Sequence, residues 1–300
     1  MWRVLISRLK QGHRTVNYPA ETPVFPDRFR GHPVVDQTRC PQGCRACAEV
    51  CPTDAIRTPD SGMELDLGRC LFCRECVQAC PQGAIRHTTE HRMAARRRED
   101  LIVSGGVRER AQALDEKMLR LFSRSLKLRQ VSAGGCNGCE ADVNVLGTIV
   151  FDLGRFGIQF VASPRHADGL LITGPVTENM KLALKKTYDA VPPPKIVIAV
   201  GACAISGGPY AGHEEQHDGV GAVVPVDLFI PGCPPHPLTI LDGLLSLLDR
   251  IDPQRVVNVL PPPSRDDDEK LSWALARAED GVKYLGADLG KGPDSASPKE

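Results

Sequence analysis

Gly134-Gly135-Cys136-Asn137-Gly138-Cys139-Glu140 lies near the middle of a 300-residue chain. Two cysteines two residues apart, set among small residues, can turn two thiolates toward one metal centre, but they supply only half of a four-ligand site. The cysteines C-terminal to them are Cys203 and Cys233, each in a Gly/Pro turn. The second half of the chain therefore has to fold so that these four sulfurs meet. Its pattern after residue 131 alternates between strand and helix. Apolar runs at 158–162, 169–173, 195–200 and 224–230 have strand length. Residues 178–189, behind Thr177 as a cap, and 237–248 read as helices. Strand then helix, repeated, predicts a parallel, doubly wound sheet covered on both faces. Ligands in such sheets sit beyond the carboxyl ends of the strands. Cys203 and Cys233 follow two of these strands and emerge at one edge, and Cys136-Cys139, placed before the first strand, folds over that edge. Cys203 alone would read as a buried structural cysteine; its three companions change that reading. Gly134, Gly135, Gly138, Gly201 and Gly232 let backbone N–H groups approach the sulfurs, which tunes a cluster's potential.

The other eight cysteines form an internal repeat at residues 36–86. The first copy carries Cys40, Cys44, Cys47 and Cys51-Pro52 and ends in Ala55-Ile56; the second carries Cys70, Cys73, Cys76 and Cys80-Pro81 and ends in Ala84-Ile85. The second copy has the C-x2-C-x2-C-x3-C-P run of two-cluster bacterial ferredoxins, in which three cysteines hold one [4Fe–4S] cluster and the fourth crosses to the other. On that pattern cluster one takes Cys40, Cys44, Cys47 and Cys80, and cluster two takes Cys70, Cys73, Cys76 and Cys51. The first gap departs from the pattern, with three residues (Pro41-Gln42-Gly43) where two are usual, and predicts a bulged loop that still reaches iron. The rival is a pair of zinc sites, whose CxxC pairs are usually separated by a dozen or more residues.

Lys+Arg and Asp+Glu both number 37, so net charge gives no argument for nucleic acid. From Arg86 to Arg129 twelve Lys/Arg stand against six Asp/Glu, which reads as a solvated helix face. No stretch approaches the ~20 apolar residues of a membrane span, and residues 1–10 show neither a secretory pattern nor a twin-arginine signal. The expectation is a cytoplasmic chain, where thiols stay reduced and twelve cysteines call for metal rather than disulfides. Trp2, Leu5, Ile6 and Leu9 fall on one face of an amphipathic helix suited to a membrane surface or a partner. Residues 18–33 read as an extended, Pro-rich arm. Leu114, Met118, Leu121, Phe122 and Leu126 are spaced as one helical face, so 105–130 reads as a helical linker. Beyond 260 a polar tail begins, with a short helix at 271–278. His213 and His217 could bind a metal, but their polar, glycine-flanked loop reads more simply as a surface turn. Glu140 is a candidate proton carrier, or simply an acid in the first turn of a helix. Gly134-Gly135 does not continue to GK[ST], and no G-x-G-x-x-G follows a strand, so neither phosphate-binding loop is present.

Two resemblances follow from these motifs. The first half, with Thr15-Val16-Asn17-Tyr18-Pro19, Phe29-Arg30-Gly31 and the cysteine repeat, resembles the two-cluster ferredoxin-like subunit of complex I and formate hydrogenlyase. That resemblance covers residues 1 to about 103 and implies that the arm and N-terminal helix lie along the membrane arm of a larger complex. The second half resembles the small subunit of membrane-bound, energy-converting [NiFe] hydrogenases and its complex I counterpart. The residues that carry it are Arg124 to Arg129, Cys136-Asn137-Gly138-Cys139-Glu140, Ala167 to Thr177, Ala199 to Ala204 and Pro231-Gly232-Cys233-Pro234-Pro235. It implies a third [4Fe–4S] cluster on Cys136, Cys139, Cys203 and Cys233, facing a large subunit that would hold any nickel–iron site.

Together these readings predict an α+β ferredoxin-like two-cluster domain (1–104), a linker (105–130), an α/β flavodoxin-like doubly wound domain (131–260) and a tail (261–300). The expected role is electron transfer through three [4Fe–4S] clusters in a membrane-associated hydrogenase-like oxidoreductase. Its partners would be the large subunit and membrane-arm subunits, with peripheral association at the cytoplasmic face of the membrane. The complex I counterpart typically has two adjacent cysteines at the first position, so Cys136-Asn137-Gly138-Cys139 favours the hydrogenase branch over a quinone reductase. A zinc-stabilised, non-redox scaffold is the alternative outside electron transfer.

Overall fold

The computed structural model describes residues 2–12, 14–41, 43–59, 62–104 and 113–251. The chain opens with α1 (Trp2–Gln11), whose Trp2, Leu5, Ile6 and Leu9 are all exposed. The cysteine repeat then folds on very short elements: β1 (Pro33–Val35), α2 (Ala46–Glu49), β2 (Ile56–Arg57), β3 (Glu64–Asp66), α3 (Glu75–Ala79), β4 (Ile85–His87) and β5 (Ile102–Ser104). β1 pairs antiparallel with β4, and β2, β3 and β5 form a small antiparallel sheet. Strands of two or three residues bring few ladder hydrogen bonds, so buried Met63, Leu65, Leu67, Ile85 and Leu101 carry the packing. Arg98 forks onto Asp66, with N–O distances of 2.8 and 2.6 Å, and pins the segment before β5 to β3.

The second half begins with α4 (Glu116–Phe122), capped by Asp115, whose carboxylate accepts from Met118 N at 3.0 Å. Next come β6 (Leu126–Ser132), α5 (Gly138–Val145), β7 (Ile158–Phe160), β8 (Gly169–Thr173), α6 (Glu178–Ala190), β9 (Ile196–Val200), α7 (Ala202–Ser206), β10 (Leu228–Ile230) and α8 (Pro237–Leu247). The five strands form one parallel sheet in the order β10-β9-β8-β6-β7. Counted along this half the order is 2-1-3-4-5, with its switch point between β6 and β8. Every residue of β8 and β9 is buried, as expected for strands covered on both faces. Leu170 and Ile172 face the layer that includes Leu65 and Leu67 of the first half, while Leu171 faces the layer of Leu241 and Leu244 from α8. Each such aliphatic side chain contributes about 1.5–3 kcal/mol when fully buried.

Three expectations are corrected. Leu126 does not continue a helix: α4 stops at Phe122, and 126–130 belong to β6. The alternation in Leu126-Lys127-Leu128, apolar inside and lysine out, is a strand period that overlapped the helical spacing. Cys136-Cys139 consequently follows the first strand instead of preceding it. Third, Thr177 occupies the cap position of α6, but its side chain makes no capping bond; it packs against Gly134. The tail and its expected helix at 271–278 lie outside the described residues.

The halves share one body. Ala95 bridges antiparallel to Phe229 on the edge strand β10, with N–O distances of 2.9 and 2.8 Å. Ser206 Oγ donates to Gly68 O at 2.9 Å. The arm is fastened to the second half: Val16 N donates to Val150 O, Arg155 donates to the carbonyls of Val16 and Tyr18, and Tyr18 Oη donates to buried Asp242 at 2.6 Å.

Candidate metal centres

The repeat encloses two cavities whose walls match position for position. One is lined by Cys40, Cys44, Cys47 and Cys80 together with Met63 and Ile85. The other is lined by Cys51, Cys70, Cys73 and Cys76 together with Leu65 and His87. The fourth cysteine of each copy thus crosses to the cavity of the other. The fold explains the crossing: in both copies the chain leaves a one-turn helix, α2 or α3, at that cysteine and turns at the proline that follows. In both, the amide four residues on donates back to its sulfur, Ala55 N to Cys51 Sγ and Ala84 N to Cys80 Sγ, each at 3.2 Å. Phe72 N donates to Cys70 Sγ at 3.3 Å. The longer Cys40–Cys44 gap leaves both sulfurs on the same cavity; Gln42 itself lies outside the described residues.

A third set of sulfurs gathers at the carboxyl edge of the parallel sheet. Cys136 and Cys139 start α5 after β6, Cys203 lies in α7 after β9, and Cys233 follows β10. Asn137 and Gly201 both have positive φ, 70° and 93°. Gly201 is obligatory for space as well as conformation, since a Cβ there would stand 2.5 Å from Cys139 Sγ. Neighbouring amides donate to sulfurs of the first two sets; at the third, the backbone amide of Cys203 favours its own thiolate, and glycine makes room beside Cys139. Cys136 and Cys233 are exposed and Cys203 is buried, so this set opens outward.

Electrostatics groups the thiols the same way. Burial raises the pKa of Cys40 and of Cys47, and the sulfurs of their own set raise both further. Burial lifts Cys70 to about 12 and Cys76 to about 11, with Cys51 and Cys73 adding to each. Cys139 is pushed up by burial and then by Cys203, Cys233, Glu140 and Cys136, and Cys203 rises to about 11 from burial, Cys233 and Cys136. Two influences run between sets: Cys47 on Cys76, and Cys73 on Cys233. The second set therefore neighbours both others. The thiols raised in this way favour the protonated form near neutral pH, and a bound cation would make thiolates of them.

The donor sets fit iron–sulfur clusters. A single zinc ion needs its donors about 2.3 Å from one point, and among the described residues no three His, Cys, Asp or Glu converge in that way. Thiols spread around a cavity wall suit a multi-atom cluster. The same observation removes the His213–His217 metal reading: His213 Nδ1 accepts from Glu215 N, and His217 pairs with Glu178. Glu140 is 5% exposed, and its Oε1 accepts from Ser132 Oγ at 2.6 Å and Thr173 Oγ1 at 2.7 Å. Burial works to raise its pKa, but those hydroxyls outweigh it and hold the carboxyl below the usual range, which opposes the proton-carrier expectation. No pattern in the chain signals that Ser132 and Thr173, on separate strands, meet there.

A dicluster ferredoxin fold joined to a parallel sheet with cysteines at its carboxyl edge defines an iron–sulfur subunit of an oxidoreductase complex. The 4Fe-4S dicluster domain family matches residues 26–85, and the family of the NADH ubiquinone oxidoreductase, 20 Kd subunit, matches residues 136–247. The probable membrane-bound hydrogenase subunit mbhJ of Pyrococcus furiosus is 36% identical over 162 residues, 54% of this chain and 96% of that protein. Formate hydrogenlyase subunit 7 of Escherichia coli is 40% identical over 146 residues, 49% of this chain and 57% of its own. An NADH-quinone oxidoreductase subunit of Clostridium beijerinckii is 44% identical over 114 residues, 38% and 68% respectively. The chain belongs to this family of hydrogenase and NADH-quinone oxidoreductase iron–sulfur subunits, with a 4Fe-4S dicluster domain on its N-terminal side. Among the described residues no helix is long and apolar enough to cross a membrane.

Proposed function

We propose that this chain is the electron-transfer subunit of a membrane-associated, hydrogenase-like complex, and that it holds three [4Fe–4S] clusters. The observation that carries the reading is the grouping of twelve cysteines into three sets of four, the middle set neighbouring both others. Cys40, Cys44, Cys47 and Cys80 hold the first cluster, Cys51, Cys70, Cys73 and Cys76 the second, and Cys136, Cys139, Cys203 and Cys233 the third. When bound, the clusters supply one-electron redox chemistry. The residues of the chain orient and shield them: Met63 and Ile85 wall the first cavity, Leu65 and His87 the second, and the amides of Phe72, Ala55 and Ala84 donate to ligand sulfurs. The exposure of Cys136 and Cys233 supports a large partner subunit seated over the third set.

The 2-1-3-4-5 strand order supports the flavodoxin-like reading of the second domain. We divide the chain into a first part to residue 104, a connecting segment, a second part to about 260 and a tail. The exposed apolar face of α1 supports docking of membrane-arm subunits, at the cytoplasmic face of the membrane. The Cys136-Asn137-Gly138-Cys139 spacing favours the hydrogenase branch, and the alternative is the same role in a complex I-type quinone reductase. Anaerobic purification of the tagged chain with its partners tests this. The reading expects a large subunit with two CxxC pairs and bound nickel; a large subunit lacking both, in a complex that reduces quinone, would contradict it.

A further inference from the structure

We propose that Glu140 is a fixed negative charge that lowers the reduction potential of the cluster held by Cys136, Cys139, Cys203 and Cys233. The proposal rests on the reading of the third cysteine set as a cluster site. It starts from an unusual burial. Glu140 follows a proposed ligand directly, is 5% exposed, and its Oε2 has no hydrogen-bond partner among the described residues. A buried carboxylate with one oxygen unpaired destabilises the fold unless other groups hold it. Here two hydroxyls aim at the same Oε1: Ser132 Oγ from the end of β6 and Thr173 Oγ1 from the end of β8.

Ser132 and Thr173 are register partners on neighbouring strands, and the sheet reverses its winding between those two strands. The carboxylate is therefore clamped in the switch-point crevice, where doubly wound sheets bind their ligands. Gly135 and Gly174 close in from the other side, leaving no space for a side chain at either position. The first turn of α5 further favours a negative charge at this place. Its influence reaches both Cys139 and Cys203.

One-electron reduction adds one negative charge to the cluster. A carboxylate locked beside it, itself shielded from solvent, makes that addition costlier. The amide donors to Cys51, Cys70 and Cys80 in the first two sets act the other way and favour the reduced state. The difference would place the lower potential at the end of the series of sites that meets the partner.

The test is a redox titration of the anaerobically reconstituted full chain, following by EPR the signal that disappears in Cys233→Ser. Glu140→Gln keeps the acceptor for Ser132 and Thr173 and removes the charge. It should shift the midpoint potential of that signal positive, by about tenfold or more in the reduction equilibrium, or about 59 mV for one electron, with unchanged iron content. Glu140→Asp keeps the charge and should restore the potential toward the unaltered value. An unmoved potential in Glu140→Gln, equal shifts in both variants, or loss of third-site iron in Glu140→Gln would overturn the proposal, the last by assigning the carboxylate to assembly. Absence of any third-site signal in the unaltered chain would sink the three-cluster reading as well.

Discussion

Around the first two cavities, the cysteine loops themselves are the architecture. The strands beside them run two or three residues, the helices four or five, and sulfurs take hydrogen bonds from the backbone that surrounds them. At the third set the order of construction is reversed. A five-stranded parallel sheet with two completely buried central strands is built first, and the cysteines are hung on the turns at its edge. On the proposed reading, the first arrangement would lean on its clusters to fold, and the second would only make room for one. The account therefore predicts different consequences of metal loss for stability in the two halves.

The largest expected effect follows from that contrast. Stripping metal should unfold residues 33–104 while the parallel sheet persists, because ligand binding there is folding free energy on the order of 10 kcal/mol, as for structural metal sites. Hydrogen exchange read by mass spectrometry checks it: protection should vanish around β1–β5 and survive in β8 and β9. Loss of protection in both halves together would break the comparison. Next, Leu171→Ala, at a fully buried position of β8, should cost about 2–5 kcal/mol in denaturant unfolding of the sheet. The first two cavities should keep their iron in that variant.

Gly201→Ala sharpens the difference at the third site. A methyl 2.5 Å from Cys139 Sγ, at φ 93°, adds strain of about 1–3 kcal/mol and blocks the sulfur. Iron content should fall by about a third while the first two clusters remain. Tyr18→Phe tests the clasp between halves. It removes the buried donor to Asp242 and should destabilise the protein by about 1–3 kcal/mol, with no change in iron.

The smallest effect is a pH dependence. His236 caps α8, its Nδ1 accepting from Leu238 N at 3.1 Å, and burial lowers its pKa. The folded state therefore prefers the neutral ring. The stability this confers is present above the ordinary histidine value of about 6.5 and is lost as the pH falls through that value toward the lowered one. Thermal unfolding should show a loss of ~1 kcal/mol below about pH 6, the scale of an N-cap. His236→Asn, which keeps a capping acceptor without titrating, should flatten that slope.

Much of this was legible in the sequence, because ligand spacing and buried apolar runs are local signals. The Cys51 and Cys80 crossing follows from one repeated spacing, and 169–173 is apolar throughout because both faces of β8 are covered. The start of β6 is ambiguous in the sequence because Leu126 satisfies two periods at once; the neighbouring Lys127 and Leu128 distinguish them. What no local pattern could reveal is long-range: the Ala95 bridge to Phe229, the arm fastened by Tyr18 to Asp242, and the two hydroxyls on Glu140. Each joins residues 8 to 224 positions apart through a fold that has to exist first.

The central claim is that twelve cysteines form three cluster sites on one chain. Iron and acid-labile sulfide, measured per chain on anaerobically prepared protein, test it most directly. The account predicts about twelve of each, from three four-iron clusters. About eight of each, or zinc in place of iron, would contradict it.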